Sequence, residues 1–329
     1  VFSSQFLEEC HLLLSLGVDI GGTKILAGAV SETGQVVAEH KVPSPAQNPE
    51  QMVDTVVSLI EQVVAEVGEV DAIGIAAAGF INLERSSVLY APNLSWRNEP
   101  LQSKISERIG KKVLIENDAN AAGWAEFRFG AAQEFNSMVM LTLGTGVGGA
   151  IVDNGRLMRG GFGIAGELGH LTVVRDGLVC GCGRRGCVEQ YASGTALLRF
   201  ANELADSGNP LGARLRELRE QKGEISGEVA FQALTEKDPG ALSVVQSAAE
   251  HLACAMGSII ATLDPEVFVI GGGLSELGET LLAPLRAELA QQLPAKGFRP
   301  QAQVVRAKFS NQAGLIGAAE LARETAAKL

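Results

Sequence analysis

The spacing of apolar positions changes period along this chain, and each change marks an element. Leu16-Gly-Val-Asp-Ile20 and Ile25-Leu-Ala-Gly-Ala-Val30 are short apolar runs separated by Gly21-Gly-Thr-Lys24. Two such runs around a small-residue turn predict a β-hairpin. Residues 139–152, Val-Met-Leu-Thr-Leu-Gly-Thr-Gly-Val-Gly-Gly-Ala-Ile-Val, repeat the arrangement, and an internal echo of this kind predicts two similar halves. Between the hairpins, Val53, Val56, Val57, Ile60, Val63, Val64 and Val67 form one apolar stripe and predict a core-facing helix over Pro49–Val67. Val70–Ala76 reads as a buried strand ending at Gly79-Phe80, and Ala91–Trp96 as a loop. Lys112–Ile115 reads as a short strand, after which Glu116-Asn-Asp-Ala-Asn120 starts a helix over Ala121–Phe129.

The second half is mostly helical in pattern. Gly194–Asp206, Leu211–Gln221 and Glu228–Glu236 predict amphipathic surface helices. Ala241–Leu263 mixes small residues with Leu252, Met256, Ile259 and Ile260, which predicts a closely packed core helix with Cys254 as a small apolar filler. Val267–Ile270 predicts a buried strand running into Gly271-Gly-Gly273. A helix over Glu276–Leu293, a strand over Val304–Phe309 and a closing helix over Ala313–Ala327 complete the reading. Residues 1–15 read as a loosely attached leader, and Glu8 and Glu9 stand where a secretory signal wants positive charge.

A length of 329 residues suits two domains of ordinary size. A hydrophobic share of 46% with 20% charged residues describes a packed globular protein. The 39 glycines exceed the usual share of about 7% and cluster at strand ends, where phosphates are often held. A net charge of −11 argues against a nucleic-acid partner, which needs clustered Lys and Arg, but not against a phosphorylated small molecule. No apolar run is read as reaching the roughly 20 residues that span a bilayer, so no membrane partner, a cytoplasmic location and reduced cysteines are expected.

The chemistry-bearing residues fall in six places. At the first hairpin, the N–H groups of Gly21, Gly22 and Thr23 form a concavity suited to phosphate oxygens, and Asp19 is placed to orient a hydrated magnesium. The second Gly/Thr turn, facing the first, would grip a nucleotide's phosphates from the other side. The triplet Gly271-Gly-Gly273 between a strand and a helix would let a base or ribose approach the backbone. Asn117 and Asp118 are either helix caps or, for Asp118, a general base at a strand end. Asn93 is placed to read hydroxyls. Mid-chain, His170, Cys180, Cys182 and Cys187 supply the four nitrogen and sulfur ligands that a structural zinc wants. A reduced cysteine loop, or a disulfide with a spare thiol, is the alternative. Glu167, His170 and Glu189 flank that loop and could face something small.

With the two hairpins, Glu116-Asn-Asp-Ala-Asn120, Gly166-Glu-Leu-Gly-His170 and Cys180-Gly-Cys-x4-Cys187 in register, the chain resembles the ROK family of sugar kinases and repressors. Within it, Asn93-Leu-Ser-Trp-Arg-Asn-Glu-Pro100 resembles the actinobacterial type of ATP-dependent glucokinase. The resemblance covers residues 16 to about 325. It implies a two-domain α/β fold of the actin/hexokinase-like (ribonuclease H-like) kind, with sugar and ATP in a cleft between the domains. The expected boundaries are a leader at 1–15, a small domain at 16–118 with the C-terminal helix of 313–329 packed back on it, and a large domain at 119–312.

The resemblance further implies ATP-dependent phosphorylation of glucose at its 6-hydroxyl, with Asp118 as catalytic base. Gly79, Asn93, Asn117, Glu167, His170 and Glu189 would contact the sugar, and His170 would also ligate zinc. Asp19, Gly21, Gly22, Thr23, Lys24, Thr145, Gly146, Gly271, Gly272 and Gly273 would hold ATP with its magnesium. Rival activities within the family are N-acetylmannosamine kinase, fructokinase and polyphosphate-using glucokinase. A sugar-sensing repressor would need an N-terminal helix-turn-helix, for which no room is expected. A homodimer or homotetramer is implied. One departure is Asn82, where the family often has Asp; that position is expected to support a loop. The leader, which the kinases lack, is the other.

Overall fold

The computed structural model of the chain describes residues 13–92 and 94–328. In chain order the elements are β1 (Ser15–Ile20), β2 (Lys24–Val30), β3 (Val36–Pro43), α1 (Pro49–Val67), β4 (Ala72–Ala77), β5 (Phe80–Ile81), β6 (Val88–Tyr90) and β7 (Arg97–Glu99). There follow α2 (Leu101–Ile109), β8 (Val113–Asn117), α3 (Asp118–Phe129), β9 (Met138–Leu143), β10 (Val147–Asp153) and β11 (Arg156–Leu157). The remainder is α4 (Glu189–Ala192), α5 (Gly194–Asp206), α6 (Ala213–Lys222), α7 (Gly227–Thr235), α8 (Pro239–Leu263), β12 (Val267–Gly271), α9 (Glu279–Gln292), β13 (Gln303–Arg306) and α10 (Ala313–Ala326). Of the described residues, those up to Ala125 and from Gly314 onward form one compact unit, and Glu126–Ala313 form the other.

Each unit is built on a five-stranded sheet of the same design. The first runs β3-β2-β1-β4-β8 and the second β11-β10-β9-β12-β13. In both, an antiparallel hairpin supplies one half and parallel strands the other. The echo between the two Gly/Thr turns is therefore a repeat of topology, with the β1–β2 turn corresponding to the β9–β10 turn.

Local chemistry accounts for the helices. α1 starts where the Asn48 side chain accepts the Gln51 N–H, with Pro49 in the first turn, and stops at Gly68. Its buried face is Met52, Val53, Val56, Leu59, Ile60 and Val63. Val57, Val64 and Val67 from the expected stripe are only partly buried. α10 lies directly on the first sheet because strand glycines leave room for its backbone. A Cβ at Gly17 would come within 2.0 Å of the Leu315 carbonyl oxygen, and one at Gly74 within 1.9 Å of that of Ala318.

Several expectations need correction. β1 begins at Ser15, which pairs with Val30 and Ala72, and the Leu14 carbonyl accepts the Asp71 N–H at 2.8 Å. Leu14 and Ser15 thus belong to the sheet rather than to a leader; residues 1–12 lie outside the described residues. α3 starts at Asp118 rather than Ala121. The expected helix over 276–293 is a 3-10 turn, Gly273–Leu277, broken at Gly278 before α9. β13 ends at Arg306, short of Phe309. β3, α2 and the small β5-β6-β7 sheet carried no recognised pattern. Cys254 is half-buried rather than a core filler. α8, at 25 residues, is long and apolar enough to cross a membrane by length and composition, contrary to the expectation that no run is. Its most apolar window is 61% buried inside the protein, and the helix serves as a core element.

Candidate functional site

At the first turn, the Gly21 N–H donates to the Lys24 carbonyl at 3.0 Å. The expected donor set of Gly21, Gly22 and Thr23 thus loses Gly21, while Gly22 and Thr23 are exposed. Asp19 lies on β1 beside that turn. Burial, and then the charge of Asp118, push its carboxyl up to about 7 against the opposing pull of Lys24. The first turn of α10 is close by: a Cβ at Gly314 would stand 2.8 Å from the Asp19 carboxyl carbon.

Asn117 ends β8 and Asp118 opens α3. The Asn117 side chain is a helix cap: its Oδ1 accepts the Asn120 N–H at 3.0 Å. Its Nδ2 also donates to the Gly79 carbonyl at 3.1 Å, so two residues expected at a sugar are joined to each other. The same amide also hydrogen-bonds the Asp118 carboxyl, so both of its hydrogens are engaged within the protein. Gly79 has φ 144 and a Cβ there would meet the Tyr90 carbonyl at 2.5 Å, so the position admits only glycine. Burial holds the Asp118 carboxyl above the ordinary carboxylate value, although the Ala119 N–H and the Asn117 amide pull it down. Asp118 therefore combines a helix-start position with the raised proton affinity that suits a general base.

Two residues support this strand end: Glu116, whose role carried no recognised pattern, and Asn82, which supports a loop as expected. Glu116 is fully buried and meets Arg85 Nε at 2.9 Å. Its Oε1 accepts the Asn117 N–H at 2.9 Å and the Asn120 amide at 3.2 Å. The signal was an acid closing the otherwise apolar Val-Leu-Ile-Glu run. Asn82 turns the loop that carries Arg85: its Oδ1 accepts from Ser86 and Ser87 N–H at 2.8 and 3.0 Å, and its Nδ2 donates to Ser86 Oγ at 2.9 Å.

In the other unit, the second turn is held from behind. The Gly194 N–H donates to the Gly144 carbonyl at 2.7 Å, and the Thr195 hydroxyl to the Thr145 carbonyl at 2.8 Å. Glu189 Oε2 accepts the Val147 N–H at 3.1 Å, and a Cβ at Gly146 would lie 2.4 Å from that oxygen. The triplet after β12 packs against the same hairpin. Gly272, at φ 77, would place a Cβ 2.5 Å from the Leu143 carbonyl oxygen, whereas nothing lies over Gly273.

His170, Cys180, Cys182 and Cys187 come together with all four ligand atoms within 4.8 Å of one another. Cys182 and Cys187 sulfurs are 3.7 Å apart, and Cys180 Sγ is 3.6 Å from His170 Nδ1. Bonds of about 2.3 Å to sulfur and about 2.0–2.1 Å to nitrogen give tetrahedral edges of about 3.8 and 3.6 Å, so the donor set fits zinc. The separation is far too long for a disulfide of about 2.05 Å. Burial, and then the neighbouring thiols, push Cys187 up to about 12, whereas Cys182, against the upward push of burial, is held below its ordinary value by the Arg184 N–H and the other two thiols. All three sulfurs can be thiolates together only where a cation compensates their charge. His170 Nε2 points away from the sulfurs, 3.8 Å from Glu167 Oε2. Arg184 ties the loop by donating to the His170 carbonyl at 3.2 Å and to Thr172 Oγ1 at 3.0 Å. Asn93 lies outside the described residues.

The ROK family profile matches residues 15–325. The chain belongs to the ROK family. Over 313 residues it is 44% identical to the glucokinase of Streptomyces coelicolor, covering 94% of this chain and 98% of that protein. It is 32% identical over 306 residues to an N-acetylmannosamine kinase of Haemophilus influenzae, covering 92% and 93% respectively. Among solved structures, the ROK family glucokinase of Streptomyces griseus in complex with glucose and AMPPNP superposes with a TM-score of 0.84 at 42% identity, covering 94% of this chain and 99% of that one. The mixed α/β architecture, with two similar sheets, is thus the actin/hexokinase-like fold of ROK sugar kinases.

Proposed function

We propose that this ROK protein is a glucokinase that transfers the γ-phosphoryl group of ATP to the 6-hydroxyl of glucose. The observation that carries the reading is Asp118, a carboxylate of raised proton affinity at the end of a sheet strand, in a chain 44% identical to a glucokinase along nearly its whole length.

Phosphoryl transfer asks the protein mainly for positioning and charge compensation. Asp118 takes the proton of the 6-hydroxyl as that oxygen attacks the γ-phosphorus, and ADP leaves with the electrons of the cleaved bond. The exposed N–H groups of Gly22 and Thr23, with those of Thr145 and Gly146, offset the charge on the phosphates. Gly271–Gly273 gives room to the nucleoside, with the open face over Gly273. Asn117, Glu167, His170 and Glu189 meet the ring hydroxyls, and an acceptor left unpaired penalises a sugar that lacks the matching hydroxyl. Asn93 and Gly79 are assigned to the sugar on the family pattern.

Magnesium, when bound with ATP, neutralises phosphate charge, and Asp19 is the residue that would hold it through water. Zinc, when bound by His170, Cys180, Cys182 and Cys187, has no open position, and it stiffens the loop that carries Glu167 and Glu189.

A coupled ADP-release assay across glucose, mannose, fructose and N-acetylmannosamine tests the reading. Glucose should give the highest kcat/KM. A clear preference for N-acetylmannosamine would favour the second activity, which the 32% identity to such a kinase keeps in view.

A further inference from the structure

The segment that follows the cysteine cluster does more than start a helix. Glu189 opens α4, and Gly194 and Thr195 open α5. All three engage the β9–β10 turn through the bonds given above. Within the turn, the Gly144 N–H donates to the Gly146 carbonyl at 3.0 Å. The carbonyls of Gly144, Thr145 and Gly146 are therefore all occupied. Among the described residues, the N–H groups of Thr145 and Gly146 are left without a protein acceptor.

Peptide planarity gives this pattern its meaning. In a trans peptide the carbonyl of one residue and the N–H of the next point in opposite directions within one rigid plane. Anchoring the Gly144 carbonyl from Gly194 therefore aims the Thr145 N–H the other way. Anchoring the Thr145 carbonyl from Thr195 does the same for the Gly146 N–H. Without the second anchor, the plane between residues 145 and 146 could rotate and present a carbonyl oxygen, which repels phosphate, where an N–H should be.

We infer that Thr195 is a positioning residue for the nucleotide phosphates, holding the Thr145–Gly146 peptide with its N–H outward. This rests on the reading that the second hairpin receives ATP. Thr195 is itself exposed and fills no core position, so its contribution is to orientation rather than to packing. The other anchor is a backbone N–H and cannot be removed by substituting a side chain. Thr195 is thus the one of the two peptide anchors that a side-chain substitution can test.

The experiment compares Thr195→Val, which removes the hydroxyl at nearly constant shape, with Thr195→Ser, which keeps it. AMPPNP affinity is measured by calorimetry, steady-state constants for ATP and glucose by coupled assay, and amide hydrogen exchange of the 144–147 turn with and without AMPPNP. Thr195→Val should weaken AMPPNP binding and raise the ATP KM by about 3- to 10-fold, the scale of one lost hydrogen bond. The glucose KM should hold, the melting temperature should stay within about 2 °C, and Thr195→Ser should bind AMPPNP as the wild type does. If AMPPNP protects the turn yet Thr195→Val binds it with unchanged affinity, the anchor is irrelevant and the inference falls. If AMPPNP leaves the turn unprotected in the wild type, the hairpin reading itself is wrong. A loss shared equally between glucose and ATP, together with a large fall in melting temperature, would reduce Thr195 to a structural residue and likewise overturn the inference.

Discussion

The charge of Asp118 raises the proton affinity of Asp19, although a whole strand separates the two in the sheet. Asp19 pairs with Ala76 across β1 and β4, and Ala77 pairs with Asn117 across β4 and β8. Both carboxyls thus lie toward the same end of the parallel strands, and both sit above their ordinary values.

This pair makes folding stability depend on pH in a definite direction. The folded Asp19 carboxyl, at about 7, binds its proton more tightly than the unfolded one at 3.8. The stabilisation from that proton is complete below the lower value and is lost as pH rises through the upper one. Full loss corresponds to at most about 4 kcal/mol. Without added divalent cation, the wild type should therefore lose stability between about pH 4 and pH 7. Asp19→Asn should flatten that slope and be more stable than wild type at pH 8, by roughly 1–3 kcal/mol. Denaturant titrations at several pH values decide it. Equal slopes for the two proteins would mean that Asp19 carries no raised value.

Asp118→Asn should remove turnover while leaving substrate binding nearly intact. Asn keeps the shape and the bond to Ala119 N–H but cannot accept the proton, and losing a general base costs about 10²–10⁴ in rate. In the wild type, the acid limb of kcat/KM against pH should lie above the ordinary carboxylate range, since burial raises this group. Retention of more than about a tenth of wild-type kcat in the variant would assign the base elsewhere.

How far the sequence spoke depended on which interaction did the ordering. The hairpins and α1, α5 and α8 were legible because their apolar residues are buried along one period. β3 was not, since only Ala38 of its eight residues is buried on that sheet edge. α2 buries just Leu101 and Ile105, too few to set a period. The choice between cap and base at Asn117-Asp118 could not be made from residue types: the structure gives Asn117 the cap, and burial gives Asp118 its proton affinity. The bracing of the second turn was hidden because Ser193-Gly-Thr195 reads as an ordinary helix start, and its contacts lie some 50 residues away in sequence. The strand glycines at 17 and 74 gave no clue to α10, whose partner segment is far along the chain.

Those glycines give a structural prediction. Gly74→Ala would place a Cβ 1.9 Å from the Ala318 carbonyl oxygen, a rigid helix backbone. α10 would have to lift from the sheet, and overpacking of this kind costs about 1–3 kcal/mol or more. Because Gly314 at the start of α10 lies against Asp19, activity should fall further than stability alone requires. A thermal melt paired with an assay well below the melting temperature reads both, and an unshifted melt would mean that the helix is not seated on the strand.

The cysteine cluster offers the sharpest test of the metal. The purified protein should carry about one zinc per chain, with no exchangeable water on it. Three thiols within a few ångströms would repel one another if ionised together, and burial opposes ionisation of Cys187 further. A divalent cation removes that conflict, so the loop should be ordered only with metal bound. Cys182 is the exposed member of the set, so its replacement by serine removes a ligand without opening the core. Cys182→Ser should lower zinc content, reduce the melting temperature by at least about 5 °C, and weaken glucose binding measured by calorimetry. AMPPNP binding should weaken as well, because Glu189, two residues beyond Cys187, holds the Val147 N–H of the phosphate turn. A zinc that served catalysis instead would, on removal, cut kcat while leaving glucose and AMPPNP affinities and the melting temperature in place. A protein that analyses as free of metal yet binds both ligands and turns over at full rate would return these residues to the status of ordinary reduced thiols.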